Sequence, residues 1–447
     1  MAKPLQRKYR RRWAHLAAAV VLATTTPAVG QILPRSGLPL PSVDLPNLSR
    51  TDLPDTRALT GRAEELAGRT LQRARNLRIE ALLRDHSRIV EADDHGAPVV
   101  RGQVLALAPS ADALAKLQAA GFAIEDRPGL DGLDIGLIVL RPPAGLSARA
   151  AVRRASELDP QGRYDFNHLY LEAGGPSSEP PAARAAGGVR VGLIDGGVDP
   201  RHPALRSVRI EQRGFAPGGV KPRAHGLAVA ALLAGQQDRF RGAAPGADLY
   251  VADVYGATPA GGSAAAIAQA LGWMAKARVG VVNVSLVGPP NLALEAAVHA
   301  LVGRGHLIVA AVGNDGPAAR PLFPAAYPGV IAVTAVDGRR RLLPEAGRPP
   351  RIDFAAPGAD MAAPATGGGF VGVRGTSFAA PIVAGALARD LPSPDPAAAA
   401  RATARLAQAA EDLGPKGPDR LYGKGLVGFS MVVRPAEVAA KGMLTQP

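Results

Sequence analysis

Apolar positions along this chain change their spacing several times. Over residues 58–92, Leu66, Leu71, Ala74, Leu77, Ile79, Leu82 and Leu83 recur at mixed three- and four-residue intervals, with Arg and Glu between them. That spacing predicts one or two amphipathic helices. From Val99 the runs shorten. Val99–Leu107, Phe122–Asp126 and Leu133–Leu140 read as strands, and Tyr164–Tyr170 as a last extended piece. Ser110 is placed to cap a helix from Ala111 to Ala120 that stops at Gly121, and Ser147 one that runs to Leu158. The order β-α-β-β-α-β is that of a split βαβ, ferredoxin-like unit over 97–171.

Residues 31–56 are rich in Pro, Leu and Ser, and 172–187 in Gly, Pro, Ser and Glu; both read as linkers. From Gly188 onward, short apolar runs at Val189–Ile194, Leu249–Val254, Val279–Ser285, His306–Val312 and Val330–Val336 alternate with helical runs at Ala264–Ala277 and Leu292–Gly303. Unalternating strands separated by helices predict a mostly parallel sheet covered on both faces. In such a sheet ligands bind beyond the carboxyl ends of the strands.

The chain has 447 residues, 47% of them hydrophobic, which is enough for more than one cored domain. With 4% aromatics, Ala, Val and Leu must fill those cores. There is no cysteine, so disulfides, a thiol nucleophile and cysteine-ligated zinc are excluded. The formal charge is +14, but Lys3, Arg7, Lys8, Arg10, Arg11 and Arg12 account for six of those positives. No basic–aromatic face, zinc pattern or helix-turn-helix pattern accompanies the rest, so no nucleic-acid partner is expected. The basic stretch is followed by an apolar run from Trp13 to Thr24 and by Ala28-Val29-Gly30 before Gln31. This is the layout of a secretory signal over 1–30, too short for a comfortable span, with an uncleaved anchor as the competing reading. It predicts export to the periplasm or medium.

Four segments carry candidate chemistry. Val191–Asp199 puts Asp195 at the carboxyl end of a buried strand, before glycines that let the chain turn. Ala224–Gly235 places His225 at the head of an apolar helix, where the positive dipole end favours a neutral imidazole suited to act as a base. Arg374–Ala388 puts Ser377 where a loop enters a helix of small residues; the alternative is an ordinary helix capped by Thr376 or Ser377, against which the proline inside the helix tells. That helix's N–H groups also suit an oxyanion. Ile308–Pro317 ends a strand with Asn314, whose amide can donate to a tetrahedral intermediate. The order Asp, His, Ser is the subtilisin order of the triad, given as such among known arrangements. Residues 375–379 read Gly-Thr-Ser-Phe-Ala, not the Gly-x-Ser-x-Gly of α/β-hydrolases.

Residues 188–432 resemble the catalytic domain of the subtilase family, most specifically at 375–385, and also at the Asp and His segments and the closing stretch Asp419–Val427. The resemblance implies a three-layer α/β domain with Asp195, His225 and Ser377 as triad and Asn314 as oxyanion donor. It implies that Ser285, Leu286, Val287 and Gly288, with Gly313, bind extended peptide by strand addition. It also implies that the small α+β unit at 97–171 is a propeptide-type domain, an intramolecular chaperone and inhibitor of a self-processed precursor, released by cleavage between Tyr170 and Gly188. Residues 433–447 form a tail. Three positions depart from the family pattern: Gly196 where Ser or Thr is frequent, Leu227 where Thr or Ser is common, and Val287 where Gly is frequent. Val287 implies a narrow pocket that prefers small or medium apolar side chains. The chemistry needs no cofactor. Structural calcium is common in the family, but Gln236–Gly242 is basic and is not expected to hold it. An exported binding protein and an esterase or transferase are the alternative functions.

Overall fold

The computed structural model describes residues 56–130, 132–173 and 188–431. The expected signal at 1–30, the linker through residue 55, residues 174–187 of the second linker and the tail at 433–447 lie outside the described residues.

One helix, α1 (Thr56–Asp85), takes the place of the one or two expected before the first domain. Its amphipathic stripe is not used as a core face: Leu77 stays 58% exposed. The following sheet opens earlier than residue 97, because β1 (Val90–Ala92) pairs antiparallel with the start of β2 (Pro98–Leu107). Asp93 closes that turn by accepting from the N–H groups of His95 and Ala97. Then come α2 (Ala111–Ala119), β3 (Ala123–Asp126), β4 (Leu137–Arg141), α3 (Ala148–Leu158) and β5 (Arg163–His168). Ser110 and Ser147 cap the two helices as expected, each accepting from the N–H three residues on. β2 pairs with β5 on one side and with β4 on the other, and β4 pairs with β3, all antiparallel. This is the connectivity of a split βαβ unit. One sheet face packs on α2 and α3 through Val104, Leu117, Phe122, Leu140 and Ala155.

The two-residue strand β6 (Leu171–Glu172) leaves this unit. The second unit contains β7 (Arg190–Asp195), β8 (Ile210–Gly214), α4 (Ala224–Ala234), the hairpin β9 (Gln236–Gln237) and β10 (Phe240–Arg241), β11 (Asp248–Asp253), α5 (Ala264–Lys276), β12 (Val281–Val284), β13 (Leu286–Val287), α6 (Leu292–Gly303), β14 (Leu307–Ala311), β15 (Ile331–Val336), β16 (Phe354–Pro357), the pair β17 (Met361–Pro364) and β18 (Phe370–Val373), α7 (Thr376–Ala388) and α8 (Pro396–Ala409). Seven strands form one parallel sheet in the order β16-β15-β14-β12-β7-β11-β8. Two of them were not expected. The edge strand β8 is polar, Ile-Glu-Gln-Arg-Gly, and β16 is a short run ending in proline.

The sheet has a core on each face. α4 and α7, built from Ala, Val, Leu and Ile, pack on one side. α5 and α6 pack on the other, and their outer surface meets Leu105, Leu137 and Val139 of the N-terminal sheet. Chain order reverses beside β7, so the carboxyl ends of β7, β12 and β14 open into one crevice.

Candidate active site

Asp195 ends β7 fully buried, and its Oδ1 accepts from the N–H of Gly196. His225, second residue of α4, holds Nδ1 at 2.9 and 3.0 Å from the two Asp195 oxygens. The imidazole is 1% exposed and packs beside the Phe378 ring. Burial pulls its pKa down, but the charge and hydrogen bond of Asp195, joined by the charge of Glu172, outweigh burial and raise it.

Ser377 is the second residue of α7 and is also fully buried. Neither Thr376 nor Ser377 caps this helix, contrary to the ordinary-helix alternative. Gly375 is the cap, with φ +138, and Thr376 Oγ1 accepts from the N–H of Gly313 instead. Pro381 lies four residues after Ser377, so it lacks the N–H that would take the Ser377 carbonyl. Ser285 Oγ donates to that carbonyl at 2.9 Å and accepts from Asn283 Nδ2. The helix carrying the serine is thereby tied to the end of β12.

The Ser377 hydroxyl does not bond His225, whose Nε2 is buried without a hydrogen-bond partner. It donates to the carbonyl of Ala173 at 2.5 Å, with a longer contact of 3.1 Å to the Ser285 carbonyl. Asn314 Nδ2 donates to the same Ala173 oxygen at 2.6 Å, while Asn314 Oδ1 accepts from the N–H of Thr376. Gly375 makes room for this meeting: a Cβ there would stand 2.9 Å from Asn314 Nδ2 and 3.0 Å from the Ala173 oxygen. One main-chain carbonyl of the chain itself is therefore held by the two side chains singled out as nucleophile and oxyanion donor.

The chain leading to Ala173 lies as an added strand. β6 pairs antiparallel with β13, Glu172 opposite Leu286 and Leu171 opposite Val287, and the Ala173 N–H faces the Ser285 carbonyl at 3.5 Å. Of the five residues expected to bind peptide, Ser285, Leu286 and Val287 contact this strand through their backbone. Gly288 pairs with Phe323 and lies against the Tyr170 ring, where a Cβ would be 2.5 Å from the ring edge. Gly313 faces Leu322 and Val287. Ala173, Val287 and Leu322 form a small buried cluster. Tyr170 is fully buried and donates to the Pro289 carbonyl at 2.6 Å.

Sequence reading missed Ala173, Glu172 and Arg223. Nothing local marks an Ala or a Glu in a linker; only the pairing of β6 with β13 brings them here. Glu172, Asp195 and His225 place one atom each within 4.8 Å of one another, and they are the one such His, Asp and Glu group among the described residues. Burial raises the Glu172 pKa and the Asp195 and Asp253 charges add to this, while His225 and Arg223 oppose it. The loop after α4 folds as the β9–β10 hairpin with Asp238 as its one carboxylate, among Arg239 and Arg241.

The sequence profile of the subtilase family matches residues 186–425. Subtilisin Savinase from Lederbergia lenta is 34% identical over 261 residues, covering 57% of this chain and 95% of that protein. Subtilisin E from Bacillus subtilis (strain 168) is 33% identical over 247 residues, 54% of this chain and 64% of that protein. Fervidolysin from Fervidobacterium pennivorans, a keratinolytic enzyme related to subtilisin, superposes with a TM-score of 0.61 at 18% identity, over 74% of this chain and 61% of that one, a likeness of fold. The matched stretch runs from the strand carrying Asp195 past the helix carrying Ser377, and the chain belongs to the subtilase family as a subtilisin-like serine endopeptidase.

Proposed function

We propose that this endopeptidase is made as an exported precursor that cleaves itself after Ala173, and that Ser377, His225, Asp195 and Asn314 carry the chemistry. The observation that supports the reading is the Ala173 carbonyl, held by Ser377 Oγ and Asn314 Nδ2 at the end of a strand in register on β13. Turning Ser377 Oγ from the carbonyl oxygen toward the unpartnered His225 Nε2 gives the hydroxyl its base. Oγ then attacks the carbonyl carbon and Nε2 takes the proton. Asn314 donates to the resulting oxyanion. Asp195 fixes the Nδ1–H tautomer and favours the imidazolium, which passes its proton to the leaving amine as the C–N bond breaks. Water repeats the sequence on the acyl-enzyme. No step requires a cofactor.

The same geometry describes external substrates. A peptide adds as a strand to Leu286–Val287, with a small side chain against Val287 and Leu322 and a bulky one, in the place of Tyr170, against Gly288. The N-terminal unit then acts as inhibitor until it leaves. Intact mass and N-terminal sequencing test this. Wild type is expected to yield a mature chain starting at Gly174, and Ser377→Ala an uncut one. Identical processing in both would refute self-cleavage. Labelling by a fluorophosphonate, lost in Ser377→Ala, tests the nucleophile, and turnover of casein over a simple acyl ester separates peptidase from esterase.

A further inference from the structure

Arg223 stands two residues before His225, at the entrance of α4. Its side chain is held on three sides. The guanidinium lies over the Tyr255 ring at 4.9 Å, and Nη2 faces the Gly256 carbonyl at 3.4 Å. The aliphatic part packs on Gly196, where a Cβ would be 2.5 Å from Arg223 Cδ and 2.9 Å from its Cβ. Gly196, the departure seen in the sequence beside the aspartate, thus has a steric cause: the arginine occupies the space that a Ser or Thr side chain would need. The fixed guanidinium faces Glu172, Nη1 standing 3.7 Å from Oε1. Arg223 Nε and Glu172 Oε1 are both buried with no hydrogen-bond partner. The two side chains, partly buried and of opposite charge, are thus within ion-pair distance without a direct hydrogen bond between them.

Resting on the proposed mode of cleavage, we infer that Arg223 is a specificity-determining residue that selects an acidic side chain at the second acyl-side position, the place Glu172 holds in the precursor. Around this position stand Asp195 and Asp253, whose charges disfavour a carboxylate, and His225 and Arg223, whose charges favour one. Arg223 is the permanently charged member of that set. Asp253 is committed elsewhere: its oxygens accept from the N–H groups of Lys221, Tyr255 and Gly256. Without Arg223 the position would face two carboxylates and an imidazole, and would reject acids. With it, an acidic side chain that settles closer than Glu172 gains a charge-assisted bond from a guanidinium that is already in place.

The test compares four peptides that differ only at this position, Glu, Gln, Ala and Lys, with Ala at the first position and Tyr at the fourth. Mature wild type and Arg223→Gln are assayed, and the ratios are taken within each enzyme. Wild type is expected to favour Glu over Gln by about 10-fold or more in kcat/KM, a direct charge-assisted bond, and Arg223→Gln is expected to bring that ratio to about one. Equal Glu-to-Gln ratios in the two enzymes would overturn the inference while leaving the peptidase reading intact. Failure of wild type to label at Ser377 or to cut any of the peptides would overturn both. A second arm covers a variant that does not mature. In the full chain, Glu172→Lys is expected to slow cleavage after Ala173, and Glu172→Lys combined with Arg223→Glu to restore it. A double variant no faster than the single one would count against Arg223.

Discussion

Asn314 and Glu172 touch the same short strand and pull on the reaction differently. Asn314 meets the carbonyl oxygen, and its amide matters most once that oxygen carries charge. Asn314→Ala is therefore expected to lower kcat by about 100–1,000-fold with KM little changed, read by steady-state kinetics on a peptide. Glu172 acts on the base. Its charge, with that of Asp195, raises the His225 pKa, and His225 must be neutral to take the serine proton. Removing the charge lowers that pKa. Glu172→Gln is thus expected to move the acid limb of the self-cleavage rate to lower pH, whatever it does to the plateau. An acid limb that stays in place or moves up would contradict this. The residues singled out from sequence alone are those whose local context is unusual: a serine ahead of a helix of small residues, an Asn after a buried strand. Glu172 and Arg223 sit in ordinary contexts and become visible only when β6 is laid against β13.

Elements were legible where their boundaries are chemical. Ser110 and Ser147 announce their helices, and the five apolar strands of the parallel sheet need no partner to be read. β8 was hidden because an edge strand with one face in water carries Glu, Gln and Arg. β6 was hidden because a two-residue strand has no period; its identity is a pairing with β13, a distant part of the chain. The entrance of α7 left an ordinary helix capped by Thr376 or Ser377 as an alternative, because a hydroxyl beside a glycine looks like a cap when the glycine's φ is unknown; Gly375 is the cap. That glycine has two roles, its positive φ and its missing Cβ. Gly375→Ala is expected to cost about 1–3 kcal/mol of stability from backbone strain. Activity should fall further than the folded fraction explains, because the new Cβ meets Asn314 Nδ2 and the bound carbonyl. Thermal melting set beside kcat separates the two effects.

At the scale of the molecule, the N-terminal unit is joined to the peptidase unit through polar groups as well as apolar ones. Asn167 Oδ1 accepts from the N–H of Ala265 in the first turn of α5, and Asp165 Oδ2 from that of Leu292 in the first turn of α6. Asn291, the cap of α6, reaches back to the Phe166 carbonyl and to His168, which pairs with Asp93. Each such cap contributes about 0.5–2 kcal/mol, so Asp165→Ala with Asn167→Ala is expected to weaken the hold of the cleaved unit by 10-fold or more, seen as earlier onset of casein turnover. The hold also depends on pH. Burial raises the pKa of Asp165 in the joined state. A carboxyl whose pKa is raised on docking contributes most below its free value and loses that contribution as pH rises through the docked one. Release is therefore expected to speed up as pH rises above the ordinary carboxylate range, followed as the lag between cleavage and activity at a series of pH values.

The helix that carries Ser377 lies against the middle of a seven-stranded sheet, while the segment in its cleft is held by the pairing of two residues with β13, by Tyr170 and by the bonds to its Ala173 carbonyl. In a cooperative fold the weakly tied segments open first and the central ones last. The blocking segment and the reacting serine thus belong to different tiers of the same landscape, and mild heat or dilute denaturant should loosen the first before it reaches the second. On the proposed reading as a precursor, a stress too small to unfold it is expected to awaken it, and its hydrogen-exchange pattern would show the order: the Leu171–Ala173 amides exchanging early, those of the serine helix only with the whole domain.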